Sequence, residues 1–183
     1  MPVEHGNQRP PSAQWTATAA GAMVVSEKMA DLSAVGRLDG KKAAEPVSLK
    51  NIKVDCGTIG KIIDAGVKDA NQMGSAMAPA AVDTILNHLE DTGRTLDYYD
   101  MVLTGDLGYI GKDIAADLLK DAGLDSEAVD QRYDDCGTMI FYREAQDVHG
   151  GGSGCGCSAS VFSGNILQKM RSGELSRVLL IST

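Results

Sequence analysis

Apolar residues recur at helical spacing in three stretches of the chain. Ala78, Ala81, Val82, Ile85 and Leu89 form the first stripe, with Pro79 acceptable in the first turn and Gly93 just past the end. Ile114, Ala115, Leu118, Leu119 and Ala122 form the second, stopped by Gly123. Ala159, Phe162, Ile166 and Met170 form the third, which predicts a helix over residues 158–171 stopped by Gly173. Shorter apolar runs of strand character lie around them. These are residues 16–26, centred on Ala22-Met23-Val24-Val25; Leu49 with the alternating Ile52, Val54 and Cys56; Met101-Val102-Leu103; residues 139–142; and residues 178–181. The separating stretches are irregular or turn-like: residues 1–15, the charged excursion 27–46, the turn 71–75, and the break at Thr104-Gly105-Asp106-Leu107-Gly108. Alternation of strand and helix predicts an α/β layered fold.

At 183 residues the chain is long enough for one domain with a sizeable core. Its net charge of -8 argues against a nucleic-acid partner, which needs a basic footprint, and gives no support for attachment to anionic lipid. No apolar stretch reaches the ~20 residues that span a bilayer, and the polar, proline-containing start shows no signal peptide. Four cysteines do not make a disulfide framework in a chain this size, so reduced thiols inside a cell are expected. Thr183 directly follows an apolar run of the kind that enters a sheet centre, which predicts a truncated product or fragment.

The richest chemistry lies in His149-Gly150-Gly151-Gly152-Ser153-Gly154-Cys155-Gly156-Cys157-Ser158-Ala159. A glycine-rich loop running into a helix start lets backbone approach a ligand. It also aims unpaired N–H groups and the positive end of the helix dipole at one spot. Close packing without a ligand is the plainer alternative. Gly154 to Ala159 also fits a G-x-G-x-x-A dinucleotide fingerprint, though the preceding strand is poorly placed for it. The His149-Gly150-Gly151-Gly152 tetrad matches a lipase oxyanion motif, but no G-x-S-x-G elbow accompanies it. Cys155 and Cys157 lack zinc-ligand spacing and read as packing residues. Asp134-Asp135-Cys136 offers calcium ligands or a solvated loop. Asp106 offers a helix cap or a ligand contact. His88 reads as a partly exposed structural histidine, and Asp147 with His149 as a base and its orienter without a nucleophile nearby.

Four segments together are distinctive: Gly74-Ser75-Ala76-Met77-Ala78-Pro79-Ala80-Ala81, Leu103-Thr104-Gly105-Asp106-Leu107, Asp134-Asp135-Cys136-Gly137 and Gly151-Gly152-Ser153-Gly154-Cys155. With them the chain resembles the stage V sporulation protein AD family, thiolase-fold proteins of spore-forming bacteria, from about Gln8 to Thr183. The resemblance implies a thiolase-like layered α-β-α fold that is incomplete. Residues 1–26 would be the end of the first of two similar halves, 27–47 a surface excursion, and 48–183 the second half, truncated. A lone second half would expose apolar surface, which implies a homodimer through that face or marginal stability.

In thiolase-fold condensing enzymes the nucleophilic cysteine lies in the first half. The second half supplies a histidine and a later histidine or asparagine. Those two places fall here at Gly105-Asp106 and near Gly152-Ser153, which carry neither imidazole nor amide. The resemblance therefore implies no enzyme and no cofactor. It implies a binder of dipicolinic acid, as its calcium chelate, for uptake into the developing spore. Asp106 would face the calcium, and Gly151, Gly152, Ser153, Gly154 and Cys155 the ligand's carboxylates. Membrane-embedded proteins of the same transport system would be its partners, and it would be cytoplasmic or peripheral at the forespore inner membrane. The rivals are an acyl transferase using Cys155 or Cys157, and a remnant or interaction protein without a ligand.

Overall fold

A computed structural model describes residues 12–27 and 52–182. Its centre is a three-stranded parallel sheet in the order β3-β2-β5: β2 Met101–Thr104, β3 Tyr133–Asp135 and β5 Val178–Ile181. Val102 pairs with Tyr133 and Leu179, and Thr104 with Asp135 and Ile181. Apart from the sheet, β1 (Trp15–Thr16) pairs in parallel with β4 (Gly152–Ser153). The helices are α1 Met73–Thr92, α2 Gly108–Asp121, α3 Ser126–Arg132, α4 Cys136–Met139, α5 Cys155–Val161 and α6 Leu167–Ser172. A π turn at Phe162–Ile166 joins α5 to α6 without a break.

Neighbouring residues of a strand point to opposite faces, and β2 uses both. Val102 lies in a cluster with Ala81 and Ile85 of α1, Ala115 and Leu119 of α2 and Val129 of α3. Leu103 lies in a second cluster with Cys157 and Val161 of α5, Cys136, Ile166 and Ala17. Both β2 residues are fully buried. Helices thus cover the strand on both faces, and the expected α/β layering is present.

The first two stripes become α1 and α2, and Gly93 ends α1 with φ 62°. Helix α1 begins earlier than the stripe implies. A 3-10 turn, Ala70–Gln72, occupies part of the expected turn 71–75, and Pro79 sits inside the helix rather than in its first turn. The third stripe begins at Cys155, so the two cysteines belong to the helix.

Three expected strands are corrected. Of residues 16–26 only Thr16 is in a strand, and Val24 is 96 % exposed. Ile52, Val54 and Cys56 are not in a strand either; residues 52–69 run without regular structure, and Ile59 is 98 % exposed. An apolar run becomes a strand only where it pairs with another, and among the described residues neither 22–25 nor 52–56 is paired. The third correction is residues 139–142. The strand lies earlier, at Tyr133–Asp135, and the Asp135 carboxylate accepts from Gly137 N (2.8 Å), starting α4, which ends at Met139 and leaves residues 140–142 without regular structure. Helix α3 is short and its pattern weak; its start is set by the Asp125 side chain, which accepts from Ala128 N. The excursion 27–47 and Leu49 lie outside the described residues except for Glu27.

His88 is buried, at 3 % exposure, rather than partly exposed. Its Nε2 meets the Tyr99 hydroxyl at 2.7 Å and its Nδ1 meets Thr58 Oγ1 at 2.8 Å. Arg94 also donates to the Tyr99 oxygen (3.2 Å) and pairs with Asp55 (2.7 Å). Burial, then the Arg94 charge, hold the His88 pKa below its ordinary value. These contacts tie the extended segment to the end of α1. Tyr99→Phe removes the shared hydroxyl and is expected to cost about 1–2 kcal/mol in urea unfolding. An unchanged midpoint would show that the tie contributes nothing.

Candidate functional site

Strand β2 ends at Thr104, and the chain turns through Gly105, Asp106 and Leu107 into α2. This is the carboxyl end of a parallel strand, where α/β sheets place their ligands. The glycine loop comes to the same place. Asp106 Oδ2 accepts from Gly154 N at 2.9 Å and, more weakly, from Ser153 Oγ at 3.5 Å. Two of the predicted site elements, 48 residues apart in sequence, are therefore in direct contact. Asp106 does not stand across an open gap from the loop, because it takes two of the loop's own donors. Gly151 and Gly152 are buried, Ser153 and Gly154 half-buried, and Cys155 exposed at the first residue of α5.

A second carboxylate, one of the two aspartates that the sequence offered as calcium ligands or loop residues, holds the same turn. Asp135 is fully buried, not part of a solvated loop. Its Oδ2 accepts from Thr104 Oγ1 (2.7 Å) and Leu107 N (2.9 Å), and its Oδ1 from Gly108 N (2.8 Å) and Gly137 N (2.8 Å). One side chain thus holds the turn that carries Asp106 and caps the starts of both α2 and α4. Thr104 sends its proton to Asp135, so the Tyr133 hydroxyl, 3.0 Å away, is the donor to Thr104. Burial pushes the Asp135 carboxyl up to about 6, although four donors favour the anion. The signal available in the sequence was an aspartate two residues before a glycine, in a polar stretch that showed no strand pattern. Asp134 is occupied by Lys112 (2.7 Å) and Thr138 Oγ1 (2.9 Å).

Burial, with Asp135 as the next contributor, pushes the Cys157 thiol up to about 12; it also pushes the Cys136 thiol up to about 12. Both stand protonated at neutral pH and pack in the second cluster. Asp147 and His149 do pair, Oδ1 to Nε2 at 2.7 Å, on the surface, with Asp147 in the left-handed region at φ 54°. Among the described residues no group of three or more His, Cys, Asp or Glu side chains is placed to hold a metal ion. A cavity of about 340 Å³ is lined by Leu89, Arg94 and Leu96, which precede β2, and by Leu124 and Ala128, which follow α2; neither Asp106 nor the glycine loop lines it.

The model of one protein family, described as Stage V sporulation protein AD (SpoVAD), matches residues 1–183. The chain belongs to the SpoVAD family. Membership ties it to spore formation. The Stage V sporulation protein AD of Bacillus subtilis (strain 168) is 41 % identical over 182 residues. That match covers 100 % of this chain and 47 % of the relative, so the chain spans about half the relative's length. No helix among the described residues is long and apolar enough to cross a membrane.

Proposed function

We propose that this chain is a non-enzymatic binder of dipicolinic acid, taken up as its calcium chelate, in the supply of dipicolinate to the developing spore. The observation that supports it is the contact of Asp106 with the glycine loop at the carboxyl end of β2. Calcium takes carboxylate and carbonyl oxygens, and the chelate brings oxygens of its own. Asp106 then needs to supply only a carboxylate edge. Gly154 N and the Ser153 hydroxyl, which donate to Asp106 in the free site, would turn to the carboxylates of the ligand as Asp106 turns to the calcium, with the backbone of Gly151, Gly152 and Cys155 in the same loop. In this reading the layered fold is the second half of a thiolase-like fold. The places of the condensing residues are then taken by Asp106 and Ser153, and the partners are membrane-embedded proteins of the same transport system.

Thermal unfolding with and without calcium dipicolinate tests the proposal. Ligand at ~100 Kd adds about 2.7 kcal/mol of stability, a rise of several degrees. The rise is expected with the chelate, and not with calcium alone or acetyl-CoA. It is expected to vanish in Asp106→Ala. A cooperative melt unmoved by the chelate, or an equal rise in Asp106→Ala, would sink the assignment. The exposure of Cys155 at a helix start favours a second reading, acyl transfer through that thiol. Fast labelling of Cys155 alone by a dilute alkylating reagent would support it, and slow labelling would remove it.

A further inference from the structure

Gln14 comes from the first described segment, far from either loop of the site in sequence. Its Nε2 donates to the carbonyl oxygen of Asp106 at 2.9 Å and to that of Gly152 at 3.1 Å. The separations along the chain are 92 and 138 residues. Carbonyls only accept, so both protons of the amide nitrogen are committed, one to each loop. The backbone on either side of Gln14 is zipped to the glycine loop: Gly150 N donates to Ala13 O (3.2 Å), Trp15 N to Gly151 O (2.8 Å) and Ala17 N to Ser153 O (2.8 Å). A side chain held this firmly has little rotamer freedom left to lose. The amide also lies where a Cβ on Gly108 would have to go, so the site is shaped to admit it.

We propose that Gln14 is a positioning residue that sets the spacing between the Asp106 turn and the glycine loop, and through it the ligand affinity of the site. Gly152 directly precedes Ser153 and Gly154, the two donors to Asp106 Oδ2. A carbonyl clamp one residue before those donors therefore fixes their approach to the carboxylate. The role in affinity rests on the binding function proposed above, whereas the role in spacing does not.

The two are separated by measuring amide hydrogen exchange and calcium dipicolinate affinity on the same variants, Gln14→Ala and Gln14→Glu. The glutamate keeps the length but, ionised, offers no donor and sets a charge against two carbonyls. In both variants the Gly154 amide is expected to exchange about tenfold faster or more, with α1 protection unchanged, and calcium dipicolinate to bind about tenfold more weakly. Unchanged exchange at Gly154, or loss of protection across all elements together, overturns the positioning role. Faster exchange at Gly154 with unaltered affinity overturns the effect on binding. If the unsubstituted chain fails to bind calcium dipicolinate, the proposed function falls, while the exchange result still decides whether Gln14 sets the spacing.

Discussion

Asp135→Ala is expected to cost about 3–5 kcal/mol, enough to remove most of the stability of a domain this size. The reason is the number of groups left behind. Leu107 N, Gly108 N, Gly137 N and Thr104 Oγ1 all lose their acceptor inside a site that is fully buried. Each unmet buried group costs about 1–3 kcal/mol, and the sum is reduced where water can enter. Asp135→Asn is expected to be milder but still damaging, since its amide nitrogen faces donors where an oxygen stood. Thermal and urea unfolding followed by circular dichroism measure both. A loss below about 1 kcal/mol in the alanine variant would mean that the four contacts are replaceable.

The same residue carries a pH signature. Its folded pKa, about 6, lies above its ordinary value of 3.8, so between those limits the native state binds the proton more tightly than the unfolded chain. Stability from this group is therefore greatest at the acid end, falls as pH rises from about 4 to about 6, and is flat above that. Asp100 acts in the opposite sense. Backbone donors at Arg177 and Ser176 hold its pKa below the ordinary value, so its contribution is lost as pH falls through that lowered pKa. Subtracting the profile of Asp135→Asn from that of the unsubstituted chain isolates the first effect. A difference that does not vary between pH 4 and 6 would show that Asp135 titrates normally.

The second large effect is expected at Gly108, the first residue of α2. It has φ 69°, in the left-handed region, and a Cβ there would collide with the Gly150 carbonyl oxygen and the Gln14 amide. The conformation alone costs a residue with a side chain about 1–2 kcal/mol, and forcing the two loops apart adds about 1–3 kcal/mol. Gly108→Ala should therefore lose about 2–5 kcal/mol. Gly93 provides the control, because its φ is 62° and a Cβ there meets nothing within 4 Å. Gly93→Ala isolates the conformational part. Equal losses at the two positions would mean that the loops yield and that close approach at Gly108 contributes nothing to the site.

The local periodicity of the chain was enough to place β2, α1, α2 and β5. Their apolar residues repeat at the spacing of one element, and a glycine ends each helix. The meeting of motifs at the site was half legible. Asp106 after a buried strand and a glycine loop before a helix are both local signals, and both segments lie at the carboxyl end of β2. Their direct contact was not legible, because it depends on how β4 is carried back to the end of β2. The errors have the same cause. Residues 22–25, 52–56 and 139–142 are apolar enough for strands. Whether such a run pairs is decided by a free edge elsewhere in the fold, or by a buried carboxylate such as Asp135 starting a helix first. Gln14 gave no local signal at all, since a glutamine in a polar, proline-flanked segment acquires its partners only when residues 92 and 138 positions away are brought within 3.1 Å. Patterning along a chain reports which surfaces must be buried, and that much the sequence determined by itself. Which polar groups meet over long separations was decided only by the packing of the layers.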